Sequence, residues 1–300
     1  MTVFTLRLTG GAAVCAHRGL APITITRCPI IRQARNLVEA LASQRQSVSL
    51  AAVLADPYFY LAAIPAVILL GLAKGGFAGI GILGVPLMAL VISPVQAAAI
   101  LLPILLVQDV VSVWVFRRER DDRLLWQMLP GAALGIGAGY GLAALVSVSM
   151  VELAVGVITL VFAVQRMRAG AGAVASVATA WRGVAMGAAA GFSSQIAHAG
   201  GPPFQMHVVP LKLERDRFIG TSAIFFAVVN LMKVPAYSAL GQFSAVNLQT
   251  ALVLMPLAIA STWIGVLLVK KVDAVNFYRI IHILMLVVGI KLVWDGLAAI

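Results

Sequence analysis

Four ionisable side chains sit inside or beside long apolar stretches of this sequence: Lys74, Asp109, His198 and Lys233. An ammonium can hold an oxyanion, an imidazole can donate or accept a proton, and a carboxylate can pair with the ammonium or carry the proton itself. Ionisable groups in such surroundings are expensive, so each reads first as functional. Two of them coincide with interruptions of the apolar pattern. Lys74 lies in Gly71-Leu-Ala-Lys-Gly-Gly-Phe-Ala-Gly-Ile-Gly-Ile-Leu-Gly-Val-Pro86, and His198 lies just before Gly200-Gly201-Pro202-Pro203.

No continuous helix runs through Gly-Gly-Pro-Pro, because each proline removes an N–H and clashes with the preceding turn. In so hydrophobic a chain the stretch Gly191–Pro210 therefore reads as a helix broken inside a bilayer. Such a break is tolerated only where the freed backbone groups face protein or a water-filled cavity. Secondary transporters place their substrates at breaks of this kind. An offset of 120 residues lays Gly71 on Gly191 and Gly81 on Gly201, and a slightly larger one lays Pro130 on Pro256 and Gly139 on Gly265. The expectation is an internal duplication.

The 300 residues are 61% hydrophobic and 11% charged, with a mean hydropathy of +1.00. A soluble domain carries about a quarter charged residues, so the class is a polytopic helical membrane protein. A transmembrane barrel is excluded, since its strands alternate over about ten residues and these apolar runs are continuous. The net charge of +11 would suggest nucleic acid in a soluble protein. Here the basic residues fall in short loops, so no nucleic-acid partner is expected. Cys15 and Cys28 match no metal-ligand spacing and receive no role.

Residues 1–56 form a basic arm, amphipathic over Ile30 to Leu54 or disordered, with arginines at 7, 18, 27, 32, 35 and 45. Apolar segments follow at 58–73, 79–92, 97–116, 124–146 and 150–166, then at 183–198, 203–211, 217–237, 247–269 and 275–297. A crossing needs about 20 residues. The connections 117–123, 166–182, 212–217 and 270–279 are basic and hence cytoplasmic, whereas 93–96, 147–149 and 238–246 carry no Lys or Arg. Helix 97–116 then runs inward and its counterpart 217–237 outward, and the later pairs oppose in the same way. The expected fold is an all-α polytopic membrane protein with two inverted-topology repeats of about four helical segments. The repeats cover 57–167 and 182–297, join through a cytoplasmic linker 168–181, and each begins with a broken or re-entrant helix. Strict inversion with two re-entrant breaks places the arm outside, while its charge places it inside.

Within this frame Lys74, followed by five glycines, reads as an anion ligand at the foot of the first break. Gly75, Gly76, Gly200 and Gly201 would bring backbone N–H groups close to an oxyanion. His198, Gln195, Asn230 and Lys233 complete the expected substrate site, with Ser193, Ser194 and Gln205 as further neutral donors. Asp109 is assigned to coupling, as an ion-pair partner of Lys233 or Lys74 or as a proton carrier. His207 and His282 are read as packing residues. Donors outnumber acceptors, which points to a small anion, with no cofactor, no metal and no catalytic residue expected.

The same residues carry a resemblance. Gly71–Phe77 through Gly84-Val-Pro86, Ala197–Phe204, Gly220-Thr-Ser222, Phe225–Asn230 through Lys233-Val-Pro235, and Tyr237 to Gln242-Phe243 resemble the sulfite exporter TauE/SafE family, also called the toluene sulfonate uptake permease family. The resemblance covers about residues 48–297 and does not extend to the arm. It implies a multi-pass transporter of the bacterial inner membrane that exports sulfite, sulfonates such as sulfoacetate, or taurine-derived anions. Lys74, His198, Gly200, Gly201, Asn230 and Lys233 fall in its matched segments. Membrane lipids are the other expected partners, and a homodimer is left open. Rival readings are a proton- or cation-coupled carrier centred on Asp109, a membrane hydrolase using Ser193 or Ser194 with His198, and a membrane scaffold. The hydrolase lacks a Gly-x-Ser-x-Gly elbow, and a scaffold would need no matched polar breaks.

Overall fold

The computed structural model describes residues 5–9, 12–16, 23–24, 57–77, 79–143, 147–168, 179–269, 271 and 274–298. The chain divides into two units, Met1–Val53 and Leu54–Ile300. The first contains a three-stranded antiparallel sheet in the order β1 (Thr5–Thr9), β2 (Ala12–Ala16), β3 (Ile23–Thr24). The sequence pattern suggested no strand there. The expected amphipathic stretch Ile30 to Leu54 lies outside the described residues, as does most of the linker 168–181.

The second unit is built of helices. The first half comprises α1 (Pro57–Lys74), a 3-10 turn Ile80–Leu83 running into α2 (Gly84–Met88), α3 (Pro94–Phe116), α4 (Asp122–Ala143) and α5 (Val148–Arg168). The second comprises α6 (Ala180–Ala197), α7 (Gly201–Val208) with a 3-10 turn Val209–Leu211, α8 (Arg215–Ala239), α9 (Ala245–Leu268) and α10 (Ala274–Ala298). Among the described residues α1, α3, α8 and α9 are long and apolar enough to cross a membrane. The expected spans 124–146 and 275–297 form α4 and α10, which are not among these four.

Local signals explain the helix starts. Ser93 caps α3, its Oγ accepting from the Gln96 N–H at 3.2 Å ahead of Pro94, and Ser244 caps α9 through the Asn247 N–H at 3.2 Å. Both breaks form as the sequence predicts. After α1, Gly76 and Gly79 take φ of 125° and 100°, values closed to other residues without strain. After α6, His198 caps the helix at φ 52°, and α7 restarts with the prolines in its first turn, where a missing N–H costs nothing.

The packing is reciprocal. The first helix of each half packs on the fourth of the other, α1 on α9 and α6 on α4, while α3 pairs with α8 and α5 with α10. Glycines let the outer pairs approach closely, as in membrane helix dimers. A Cβ on Gly187 or Gly191 would lie 2.1 Å from the carbonyl oxygens of Met128 or Ala132, and one on Gly71 would lie 2.0 Å from Ser261 Oγ. Helices α3 and α8 run antiparallel: Gly220 packs on Phe116 and Glu119, whereas Asn230 reaches Asp109. The α3–α4 loop is pinned to the start of α8 by Arg217–Asp121 at 2.9 Å and by the Asp121 N–H donating to Thr221 Oγ1 at 2.9 Å.

Candidate functional site

The two breaks face one cavity of about 90 Å³. On that measure one water needs about 10–15 Å³, so the space suits a small oxyanion or several waters. Lys74 and Gly76 of the first break line it, as do Ser194, His198 and Gly201 of the second, with Ser112 of α3, Gln205 of α7 and Asn230 of α8. The remaining wall is largely apolar, including Leu70, Ile82, Leu105, Ile219 and Phe226.

Two polar knots stand beside this cavity. In the first, Lys74 Nζ pairs with Asp109 Oδ1, and Asn230 Nδ2 donates to Asp109 Oδ2 at 2.7 Å, so both carboxylate oxygens are taken. The Lys74 side chain keeps 12% exposure against 4% for Asp109, and its ammonium lies 5.4 Å from the centre of the Phe226 ring. Ser112 Oγ donates to the Lys74 carbonyl at 2.6 Å and ties the first break to α3.

In the second knot Lys233, fully buried, donates to the Ser194 carbonyl at 3.2 Å, to Ser194 Oγ at 3.1 Å and to His198 Nδ1. Three acceptors use the three protons of an ammonium. An ammonium can only donate and a carbonyl only accept. His198 therefore accepts at Nδ1, and its Nε2–H donates to the Ala98 carbonyl at 2.9 Å.

The expected site residues divide accordingly. Lys74, Gly76, His198, Gly201 and Asn230 come together on the cavity, with Asp109 directly behind Lys74. Gly75 packs against Gly265, and Gly200 packs against Ala190 and Phe226. Gln195 lines a different cavity, described below, and Lys233 stands behind Ser194 and His198. Ser193 Oγ turns back to the Ala189 carbonyl at 2.7 Å and Ser194 Oγ accepts from Lys233 at 3.1 Å, so among the described residues neither serine pairs with His198 as a hydrolase would need. Ser112 and Phe226 were not singled out for chemistry from the sequence. Ser112 lies three residues after Asp109 on α3, a helical spacing that could have drawn attention to it.

The Lys233 environment makes one expectation specific. Lys233→Met keeps the side-chain length, removes the charge and leaves the Ser194 and His198 acceptors without their donor. The variant is expected to reach the membrane, destabilised by about 1–3 kcal/mol for the stranded acceptors. It should nonetheless lose most of its flux, because His198 loses the donor that fixes its ring. Parallel melting curves and flux assays check this.

The family model for sulfite exporter TauE/SafE matches residues 63–292, which contain both breaks and both knots. The chain belongs to the TauE/SafE family. It is therefore a membrane transporter rather than an enzyme, in a family associated with sulfur anions such as sulfite. No curated protein and no solved structure is significantly similar to this TauE/SafE chain.

Proposed function

We propose that this TauE/SafE protein exports a small sulfur oxyanion across the bacterial inner membrane by alternating access, holding it in the cavity between the two breaks. The substrate would be sulfite or an organosulfonate such as sulfoacetate or a taurine-derived anion. The observation that carries the reading is the Lys74 ammonium, placed on a cavity to which both breaks contribute. A sulfonate or sulfite group offers a compact set of oxygens to Lys74, Asn230 and Gln205. The halves 57–167 and 182–297 are read as inverted repeats. The antiparallel course of α3 and α8 and the reciprocal packing support this. Trp114, Trp126 and Trp181 lie exposed at the helix ends beside the basic loops, as interfacial anchors on the cytoplasmic side would.

Coupling follows from charge. An anion approaching Lys74 competes with Asp109 for the same ammonium. A proton on Asp109 removes that competition, so protonation there would release Lys74 to the anion. A cation carrier centred on Asp109 has less support, since both of its oxygens already accept from Lys74 and Asn230.

Proteoliposomes holding the full chain test the reading. Sulfite or sulfoacetate should be taken up or released at a rate that rises when a proton gradient is imposed, and sulfate should move more slowly. Flux indistinguishable from empty liposomes for all of these anions would refute it.

A further inference from the structure

A second cavity, of about 180 Å³, lies beyond His198, and we propose that it is the other chamber of the permeation path, closed from the first by the rings of His198 and Tyr237. This rests on the transport reading above. The two cavities follow one another along the same helices. On α3, Ala98 lines the second, while Leu105 and Ser112 line the first. On α8, Ser222, Phe226 and Asn230 line the first, while Tyr237 and Leu240 line the second. Ala98 and Tyr237 are far along their helices from the basic connections that follow α3 and precede α8.

The partition is thin. His198 lines the first cavity, and its Nε2–H donates to the carbonyl of Ala98, which lines the second, at 2.9 Å. The His198 ring stacks on that of Tyr237, with centroids 6.1 Å apart and planes 19° apart. The Tyr237 hydroxyl donates to the Gln195 carbonyl at 3.1 Å. Ser194 and its neighbour Gln195 face one cavity each. Two side-chain bonds to backbone carbonyls thus latch a pair of rings across the path. Bonds of this kind exchange readily with water, so they suit a gate better than a wall.

The second chamber also has the chemistry of a release site. None of its described lining residues is Lys or Arg. An anion that leaves Lys74 and passes the rings meets no cation among the described lining residues. The first chamber binds, and the second lets go.

Thiol labelling of the full chain in vesicles tests this, with Cys15 and Cys28 replaced by serine. Ser222→Cys reports on the first chamber and Gln242→Cys on the second, using a membrane-impermeant methanethiosulfonate. Ser222→Cys should react mainly from the face bearing the basic loops, Gln242→Cys mainly from the opposite face, and each modification should stop sulfite flux. Adding Tyr237→Ala should let the Ser222→Cys thiol react from the opposite face at least about tenfold faster than without it. Tyr237→Phe, which keeps the ring and drops the hydroxyl bond, should give about fivefold, the weight of one such bond. A Gln242→Cys thiol inert from both faces, or modified without effect on flux, overturns the proposal. So does labelling of Ser222→Cys that stays one-sided in both Tyr237 variants. If the parent chain moves neither sulfite nor sulfoacetate, the transport reading is what fails, and the two-sided labelling still decides the gate.

Discussion

Lys74→Met is expected to cut sulfite flux by about ten- to a hundredfold, the loss that follows from removing one charge-assisted contact. It should also lower stability, by an amount that depends on Asp109. Removing one member of a buried ion pair costs about 3–5 kcal/mol because it strands the other charge. Asp109, with 4% side-chain exposure, would be the stranded group until it takes up a proton. Asp109→Asn has the opposite profile. Asn230 keeps an oxygen to donate to, Lys74 loses its competitor, and the ammonium is free for the ligand. That variant should bind sulfite at least as tightly as the parent, yet transport it without response to a proton gradient. The double variant should regain most of the stability lost in Lys74→Met while staying inactive, giving a coupling energy above about 1 kcal/mol. Sulfite titrations, melting curves and flux on the same four proteins separate these effects. Parent-like flux in Lys74→Met would remove the binding cavity from the pathway.

The largest structural effect is expected at the crossing of α4 and α6. A Cβ on Gly187 would lie 2.1 Å from the Met128 carbonyl oxygen, and on Gly131 or Gly135 2.0 Å from those of Val184 and Ala188. The obstacle is backbone on both sides, so no side chain can swing away. Gly187→Ala should force the helices apart and cost upwards of about 3 kcal/mol, the upper range for overpacking. Gly137 is the control. It lies on the same helix as Gly131 with nothing within 4 Å of its would-be Cβ. Gly137→Ala should be neutral or stabilising by about 1 kcal/mol, from helix propensity. Detergent melting temperatures and gel-filtration profiles compare the two. Equal behaviour would show that the α4–α6 approach is looser than described.

Much of the fold could be read from residue order because its strongest signals are backbone prohibitions. Gly200-Gly201-Pro202-Pro203 cannot be helix interior in any setting, and the structure interrupts the helix there. The site was legible only in part, for reasons of register. The sequence left Asp109 between Lys74 and Lys233. The choice of Lys74 depends on how α1 lies along α3, which follows from the seating of Gly71 and Gly75 against α9. No local pattern encodes that seating. Ser194 and Gln195 show the same limit. Adjacent helical residues point about 100° apart, and here that separates two cavities. Tyr237 stood in a matched segment, but its bond to Gln195 arises only once α6 and α8 are side by side.

The break at His198–Gly200 has a mechanical consequence. Its α6 leaf is riveted to α4 by bare backbone at Gly187 and Gly191. Its α7 leaf is clamped to α8 through Phe204, whose ring centre lies 4.9 Å from that of Phe225 and 5.3 Å from that of Phe226. The short piece between them, held in a left-handed turn at His198, thus joins two arms seated on different helices. Any swing of one arm must be absorbed at the residue that Lys233 holds.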